Sequence, residues 1–242
     1  MTKNQSKADM VYLALRQAIM EQDLKPGAKL PEDEIGAPFG ISRTIVRQAL
    51  ARLQSDGLVE TGRKRTATVA RPSLEEAKDV FRVRRALERE AIRIVSERWS
   101  EKTASSLKAH VAEEDEARNT GDLRISVRLA ERFHILLAEL TENETLLGYM
   151  TQLVSRCSLI LAVYGRPHST DCAVCEHGEI LAALEKGDAE AAVRLMDDHV
   201  GALEGRALNR EGSEGPSLVD ILSRHAGEIG LDAPAAKRKL HS

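Results

Sequence analysis

Apolar positions recur at helical spacing along nearly the whole chain and change to strand-like runs in one short stretch. Residues 9–22 place Val11, Leu15, Ala18 and Ile19 on one face of a helix, which Pro26-Gly27 closes off. A second short helix is predicted over 31–38, with Glu32, Asp33 and Glu34 in its first turn, where the helix dipole favours anions. Phe39-Gly40-Ile41 reads as a tight connection, and Ser42 as the N-cap of a third helix over about 43–56. On that helix Val46, Ala49, Leu50 and Leu53 form the inward face, while Arg43, Thr44, Arg47 and Gln48 point elsewhere. Beyond Gly57, Leu58–Thr61 and Thr68–Ala70 read as two strands joined by a basic tip, Gly62-Arg63-Lys64-Arg65-Thr66-Ala67.

After Pro72-Ser73 the pattern is helical, with no convincing strand. Helices are predicted near 74–99, 101–119, 122–140, 143–164, 172–186 and 189–209, with Ser73 or a neighbour capping the first. Their short connections imply antiparallel neighbours and hence a bundle. No fixed-period repeat is present. The expected fold is mostly α: an N-terminal winged helix-turn-helix with a small β-wing over 1–72, then an all-α helical bundle over 73–210. Residues 211–242 read as a flexible tail, with an extra helix from Leu218 to Gly227 and a charged end at Lys237-Arg238-Lys239.

Composition sharpens this reading. No apolar run approaches the ~18 residues of a membrane span, and the N-terminus lacks the apolar stretch of a secretory signal. Cys157, Cys172 and Cys175 are too few and too clustered for a disulfide framework, so a reducing, cytoplasmic compartment is expected. Residues 1–72 hold 12 basic and 8 acidic side chains, net +4; the rest hold 23 and 30, net −7. A basic front and an acidic back assign the phosphates to the front.

Helix, glycine-containing turn, then a helix with Arg and Thr in its first turn is the layout of a helix-turn-helix. Arg can bond twice to a guanine edge, and Thr can meet a phosphate or a thymine methyl. The DNA-contacting set is therefore Ser42, Arg43, Thr44, Arg47 and Gln48 on the third helix, with Arg63, Lys64, Arg65 and Thr66 on the wing. Arg52, deeper along the helix, reads as structural or phosphate-directed.

The run Leu24-Lys25-Pro26-Gly27, Leu30-Pro31-Glu32, Phe39-Gly40-Ile41-Ser42-Arg43, Val46-Arg47-Gln48-Ala49-Leu50, Arg52-Leu53 and Gly57-Leu58-Val59 resembles the GntR family of winged helix-turn-helix regulators across nearly all of residues 10–70. Departures are Ile45 where the family often has Pro, Gln48 where it has Glu, and Thr66 near its wing Gly. Asp33 stands where some members carry a DNA-contacting Arg.

In the back half, polar residues interrupt apolar stripes. The first helix runs Ala77, Val80, Phe81, Arg84, Leu87, Ala91, Ile94; the third Val127, Ala130, His134, Leu137; the fifth Val174, His177, Leu181, Leu184; the sixth Ala192, Met196, His199, Leu203. A buried polar group needs a partner. A single inward histidine reads as a satisfied core residue, whereas three on separate helices point to a shared site. Neutral imidazoles on facing helices suit zinc or a related divalent ion.

Val83-Arg84-Arg85-Ala86-Leu87-Glu88, Arg132-Phe133-His134 with Asn143, Glu176-His177 with Ile180 and Gly187-Asp188, and Met196 with His199 resemble the FadR-type C-terminal ligand-binding (FCD) domain. The resemblance implies a bundle of six or seven helices. It also implies a metal bound by an Asp and three His, its sphere completed by a carboxylate-bearing effector. His134, His177 and His199 take the three His positions, but the Asp position is Ala130. Glu131 lies about 100° round the helix from it. Arg84 could hold the effector carboxylate or pair internally with Glu88; Arg156 and Tyr164 are further effector candidates or residues of the bundle edge. Cys172-x-x-Cys175-x-His177 lacks a second thiol pair and reads as structural or incidental.

The expected function is a homodimeric transcription regulator, a repressor in the commoner arrangement and not an enzyme. It would bind near-palindromic operator DNA under control of a small effector at a metal-containing cavity, without a membrane. The alternative is a metal-dependent hydrolase, for which Glu131 and Glu176 are the sequence neighbours of the histidines.

Overall fold

The computed structural model describes residues 6–62, 65–165 and 171–208. The side chains of Arg65, Asp171 and Cys172, and the predicted tail with its extra helix, lie outside the described residues.

The chain opens on α1 (Lys7–Met20), started by a capping box: the Ser6 hydroxyl accepts from the Asp9 N–H while the Asp9 carboxylate takes the Ser6 N–H. β1 (Lys29–Leu30) and α2 (Glu32–Gly36) follow, and a 3₁₀ turn over Ala37–Phe39 ends at Gly40 with φ of 59°. The predicted 31–38 helix divides here because Pro38 cannot donate a backbone bond. Next come α3 (Arg43–Ser55) and the hairpin of β2 (Val59–Gly62) and β3 (Arg65–Val69). The sheet has a third strand beyond the two predicted: β1 pairs antiparallel with β3, Lys29 opposite Thr68 and Leu30 opposite Ala67, giving the order β1-β3-β2. Two residues are too short to show a period of two. Val11, Leu15 and Ile19 of α1, Val46, Ala49, Leu50 and Leu53 of α3, and Leu58, Val59 and Val69 around the hairpin close a core of their own.

Among the described residues six helices then form the bundle: α4 (Leu74–Glu97), α5 (Glu101–Thr120), α6 (Leu123–Leu140), α7 (Glu144–Tyr164), α8 (Asp171–Glu185) and α9 (Ala189–Leu208). Side chains cap four of their starts: Ser73, Ser100, Asp122 and Asn143 each accept from a backbone N–H in the first turn. Phe81, Ile92, Leu107, Phe133, Leu137, Ile160, Ile180 and Met196 fill the centre. Each such side chain, fully withdrawn from water, contributes about 1.5–3 kcal/mol.

Two predicted stripes are rotated. On α6 the buried residues are Ser126, Phe133, His134, Leu137 and Ala138, and Val127 is 40% exposed. The larger Phe133 ring takes the inward position, and the first turn of α6 leans instead on the loop after α1, where Arg124 bonds Asp23 at 2.8 Å. On α4 the buried line is Ala77, Phe81, Arg84, Glu88, Ala91, Ile92 and Val95, so it carries two charged residues rather than one.

α7 belongs to both halves. An 18-residue stretch of it has a mean hydropathy of 1.4, but its buried apolar side chains are committed inside the protein, to two clusters of the bundle and to the winged-helix core. Cys157 and Ile160 pack in the bundle, Leu159 in the winged-helix core. On that second face Arg16 donates to the Ser155 hydroxyl at 2.7 Å, and Arg156 donates to the Gly57 carbonyl and pairs with Glu76. Gly57 has φ of 70°, and a Cβ there would run into the Arg156 side chain. Gly40 shares the left-handed backbone but has open space around it. Both alanine variants therefore pay about 1 kcal/mol of backbone strain, and only Gly57→Ala also displaces Arg156. Urea unfolding should show the larger loss for Gly57→Ala, with the excess removed in an Arg156→Ala background; equal losses would contradict the contact.

Candidate functional site

The three inward histidines come from three helices, His134 on α6, His177 on α8 and His199 on α9, and all are buried. Their ligand atoms lie within 4.8 Å of one another. Nε2 of His134 and Nε2 of His199 are 3.2 Å apart, and the Nε2 of His177 has no partner although it is fully buried. Phe133 stacks flat on the His177 ring at 3.9 Å and walls this side of the cluster.

Each Nδ1 faces a carboxylate. His134 Nδ1 lies 2.8 Å from Glu88 Oε1, an ion-pair distance without the alignment of a good hydrogen bond. His177 Nδ1 is 3.0 Å from both oxygens of Glu114, and His199 Nδ1 is 2.5 Å from Glu176 Oε2. With the three Nδ1 atoms so engaged, the three Nε2 atoms are the ones left to converge. Carboxylate behind imidazole is the arrangement that orients and strengthens histidine as a metal ligand. Burial pushes His134 well below the usual imidazole pKa and lowers His199, so both favour the neutral form that binds metal. Burial opposes ionisation of Glu88, yet His134 and Arg84 hold its pKa down at about 2. Glu114, against the same penalty, is held below the ordinary carboxylate value by His110 and His177. The hydrogen bond from His199 does the same for Glu176.

The donor set fits a divalent ion. Zinc about 2.0–2.1 Å from tetrahedral nitrogens sets them roughly 3.3 Å apart, close to the 3.2 Å of His134 and His199. The orphaned His177 nitrogen is a buried polar atom that a metal would satisfy.

Arg84 is buried, and its Nε donates to Glu88 Oε1 at 3.1 Å. Its guanidinium also meets Cys157 of α7. Its position is thus behind His134, one carboxylate removed from the cluster. The other two effector candidates are not brought there: Arg156 lies against Gly57 and Glu76, and the Tyr164 hydroxyl donates to the Pro72 carbonyl at 2.8 Å. Both join the bundle to the front of the chain. Cys175 is exposed, 3.8 Å from Arg118, while His177 is fully buried; Cys172 lies outside the described residues. Glu131 bonds Ser158, and burial raises its pKa, while Glu176 is committed to His199. Neither carboxylate flanks an open position as a general base would. Glu114 went unnoticed in the sequence; its signal is His110 four residues earlier on the same face.

On the front, Ser42, Arg43, Thr44, Arg47 and Gln48 are all exposed along α3, and Thr66 is exposed on β3. Ser42 occupies the N-cap position without a side-chain bond. Arg43 pairs with Asp33 and Arg47 with Glu32. Arg52 pairs with Asp9 and lies 4.1 Å over the Tyr12 ring, in keeping with the structural one of the two roles read for it. Arg63 and Lys64, with the Arg65 side chain, lie outside the described residues.

A winged helix presenting an exposed arginine-bearing helix, joined to an all-helical domain with a buried histidine cluster, defines a class of two-part DNA-binding regulator. Residues 7–69 match the model of bacterial regulatory proteins of the gntR family, and residues 79–202 match the FCD domain. The chain belongs to the GntR family of transcription regulators and carries an FCD domain. It is 30% identical over 184 residues to a probable D-xylose utilization operon transcriptional repressor of Paenarthrobacter nicotinovorans, covering 76% of this chain and 81% of that one. It is 26% identical to the transcriptional regulator YdhC of Bacillus subtilis over 78% of this chain and 85% of the relative. Among solved structures, a putative GntR regulator from Rhodococcus sp. RHA1 aligns with a TM-score of 0.72 and 25% identity over 84% of this chain and 98% of that one. Escherichia coli McbR/YncC shares the fold, with a TM-score of 0.74, 22% identity, and coverage of 85% and 100%.

The Arg84–Glu88 pair is buried on both sides, so removing the guanidinium strands a charge in the core. Arg84→Met should cost about 3–5 kcal/mol in chelator-treated protein, and adding Glu88→Gln should recover part of it. Urea unfolding checks this; a loss below about 1 kcal/mol would mean that the pair is solvated.

Proposed function

We propose that this chain is a homodimeric repressor whose grip on a near-palindromic operator is set by a small carboxylate-bearing effector at a metal in the helical domain. The observation that carries this reading is the double engagement of α7, whose Cys157 meets Arg84 behind His134 while Arg156 and Leu159 engage the winged helix. His134, His177 and His199 hold the metal, with Glu88, Glu114 and Glu176 fixing their rings. The ion, zinc or a related divalent metal, supplies positive charge and open coordination positions to an anionic ligand. Ala130 offers no fourth side-chain ligand, so the effector takes a larger share of the sphere.

The signal runs through charged neighbours. Moving His134 shifts Glu88, which moves Arg84 and with it Cys157 of α7. Arg156, the next residue, carries the shift to the Gly57 carbonyl just after α3. In a dimer that displacement alters the spacing of two recognition helices and hence operator affinity. Relatives named as repressors support repression as the mode of action.

Two outcomes check this. Elemental analysis of protein purified without chelators should give about one metal per chain, lost when His134, His177 and His199 are all changed to Ala; Glu114→Gln should weaken binding about 10–100-fold. Metal-free wild type would demote the histidines to core residues. Against a duplex selected by the wild type from a random pool, Arg47→Ala should lose about tenfold or more in affinity. Unchanged affinity would mean that α3 is not the recognition helix.

A further inference from the structure

All three arginines of α3 are spoken for by carboxylates within the same winged helix. Arg52 is clamped to Asp9 against Tyr12. Arg47 donates through Nε to Glu32 Oε1 at 2.8 Å. Arg43 is held by two prongs, its Nε on Asp33 Oδ1 and its Nη2 on Asp33 Oδ2 at 2.5 Å. The partners of Arg43 and Arg47 come from the first turn of α2, which carries Glu32, Asp33 and Glu34 and no basic residue, while Asp9 belongs to α1.

The geometry of the Arg43 pair leaves half of the guanidinium free. Arginine has five N–H donors in a rigid plane. Asp33 takes the edge formed by Nε and Nη2, so the edge formed by Nη1 and the second Nη2 hydrogen remains open. That end-on fork can meet both O6 and N7 of a guanine. Holding the long side chain in advance also removes rotamer freedom that DNA would otherwise have to take away. The pair has no net charge, whereas attraction to the phosphate backbone follows charge neutralised at each contact. The carboxylate thus acts in two ways at once: it aims the arginine and removes its pull on any passing duplex.

We propose that Asp33 is a specificity-determining residue, which orients Arg43 toward a base edge while suppressing its attraction to phosphate. The proposal rests on α3 being the recognition helix. Asp33 is 66% exposed and outside the winged-helix core, so Asp33→Asn keeps the shape, removes the charge and should melt with the wild type.

Two readouts decide it: the salt dependence of affinity for a random-sequence duplex, and the sequences enriched from a randomised duplex pool. Asp33→Asn should bind the random duplex several-fold more tightly at low salt. Its slope of log affinity against log salt should steepen by about one. From the pool it should lose preference at one base position, the same position that Arg43→Ala loses. If Arg43→Ala weakens selected-duplex binding and Asp33→Asn changes neither slope nor preference, Asp33 is a bystander and the proposal fails alone. If Arg43→Ala and Arg47→Ala also leave the selected duplex bound as before, the recognition helix is misassigned and both readings fall.

Discussion

Four imidazoles, two carboxylates and one guanidinium sit inside an apolar bundle, with the half-buried Glu176 at its edge, and each is tolerable there because of another. A buried polar group without a partner costs free energy, and an unpaired buried charge costs more. Glu88 is kept ionised by Arg84 on one side and His134 on the other. Glu114 answers both His110 and His177, and Glu176 answers His199. The pairs tie α4 to α6, α5 to α8, and α8 to α9. One polar atom in the cluster's centre stays unanswered, the Nε2 of His177. Glu88 Oε2 and His134 Nδ1 also lack a hydrogen bond, so the unmet hydrogen-bonding capacity is spread over the Glu88–His134 pair and the His177 ring.

On the proposed reading, α7 makes the site consequential for the rest of the molecule. Successive residues on a helix turn by about 100°, so Cys157 can meet Arg84 while Arg156 meets Gly57 and Leu159 enters the other core. A rigid helix clamped on both faces passes displacement on instead of absorbing it. The proposed coupling needs no long chain of residues: between His134 and the Gly57 carbonyl stand Glu88, Arg84, Cys157 and Arg156.

Much of this was legible in the sequence because the signals are local. Ser73 capped its helix, Pro26-Gly27 broke the chain, and the inward face of α3 lay where the periodicity put it. The histidines stood out as interruptions of apolar stripes. What escaped has a common cause. β1 exists only through its partner β3. Glu114 looks like any surface carboxylate until α8 brings His177 against it. Arg156 and Tyr164, placed with the effector because they lie on a bundle helix, have partners near residues 57 and 72. The α6 stripe was drawn through Val127, although the phase of a helix within a bundle is decided by the largest ring to be buried, here Phe133. Periodicity gives a helix its face; only packing says what that face meets.

The central claim is that the histidine cluster and the winged helix are mechanically joined through α7. Backbone amide exchange of the full chain, compared between metal-free and zinc-loaded protein, tests it most directly. Slower exchange in α6, α8 and α9 on loading, together with slower exchange in α7 and around Gly57, is the result the account predicts. Slowing confined to α6, α8 and α9, with α7 and Gly57 unchanged, would contradict it.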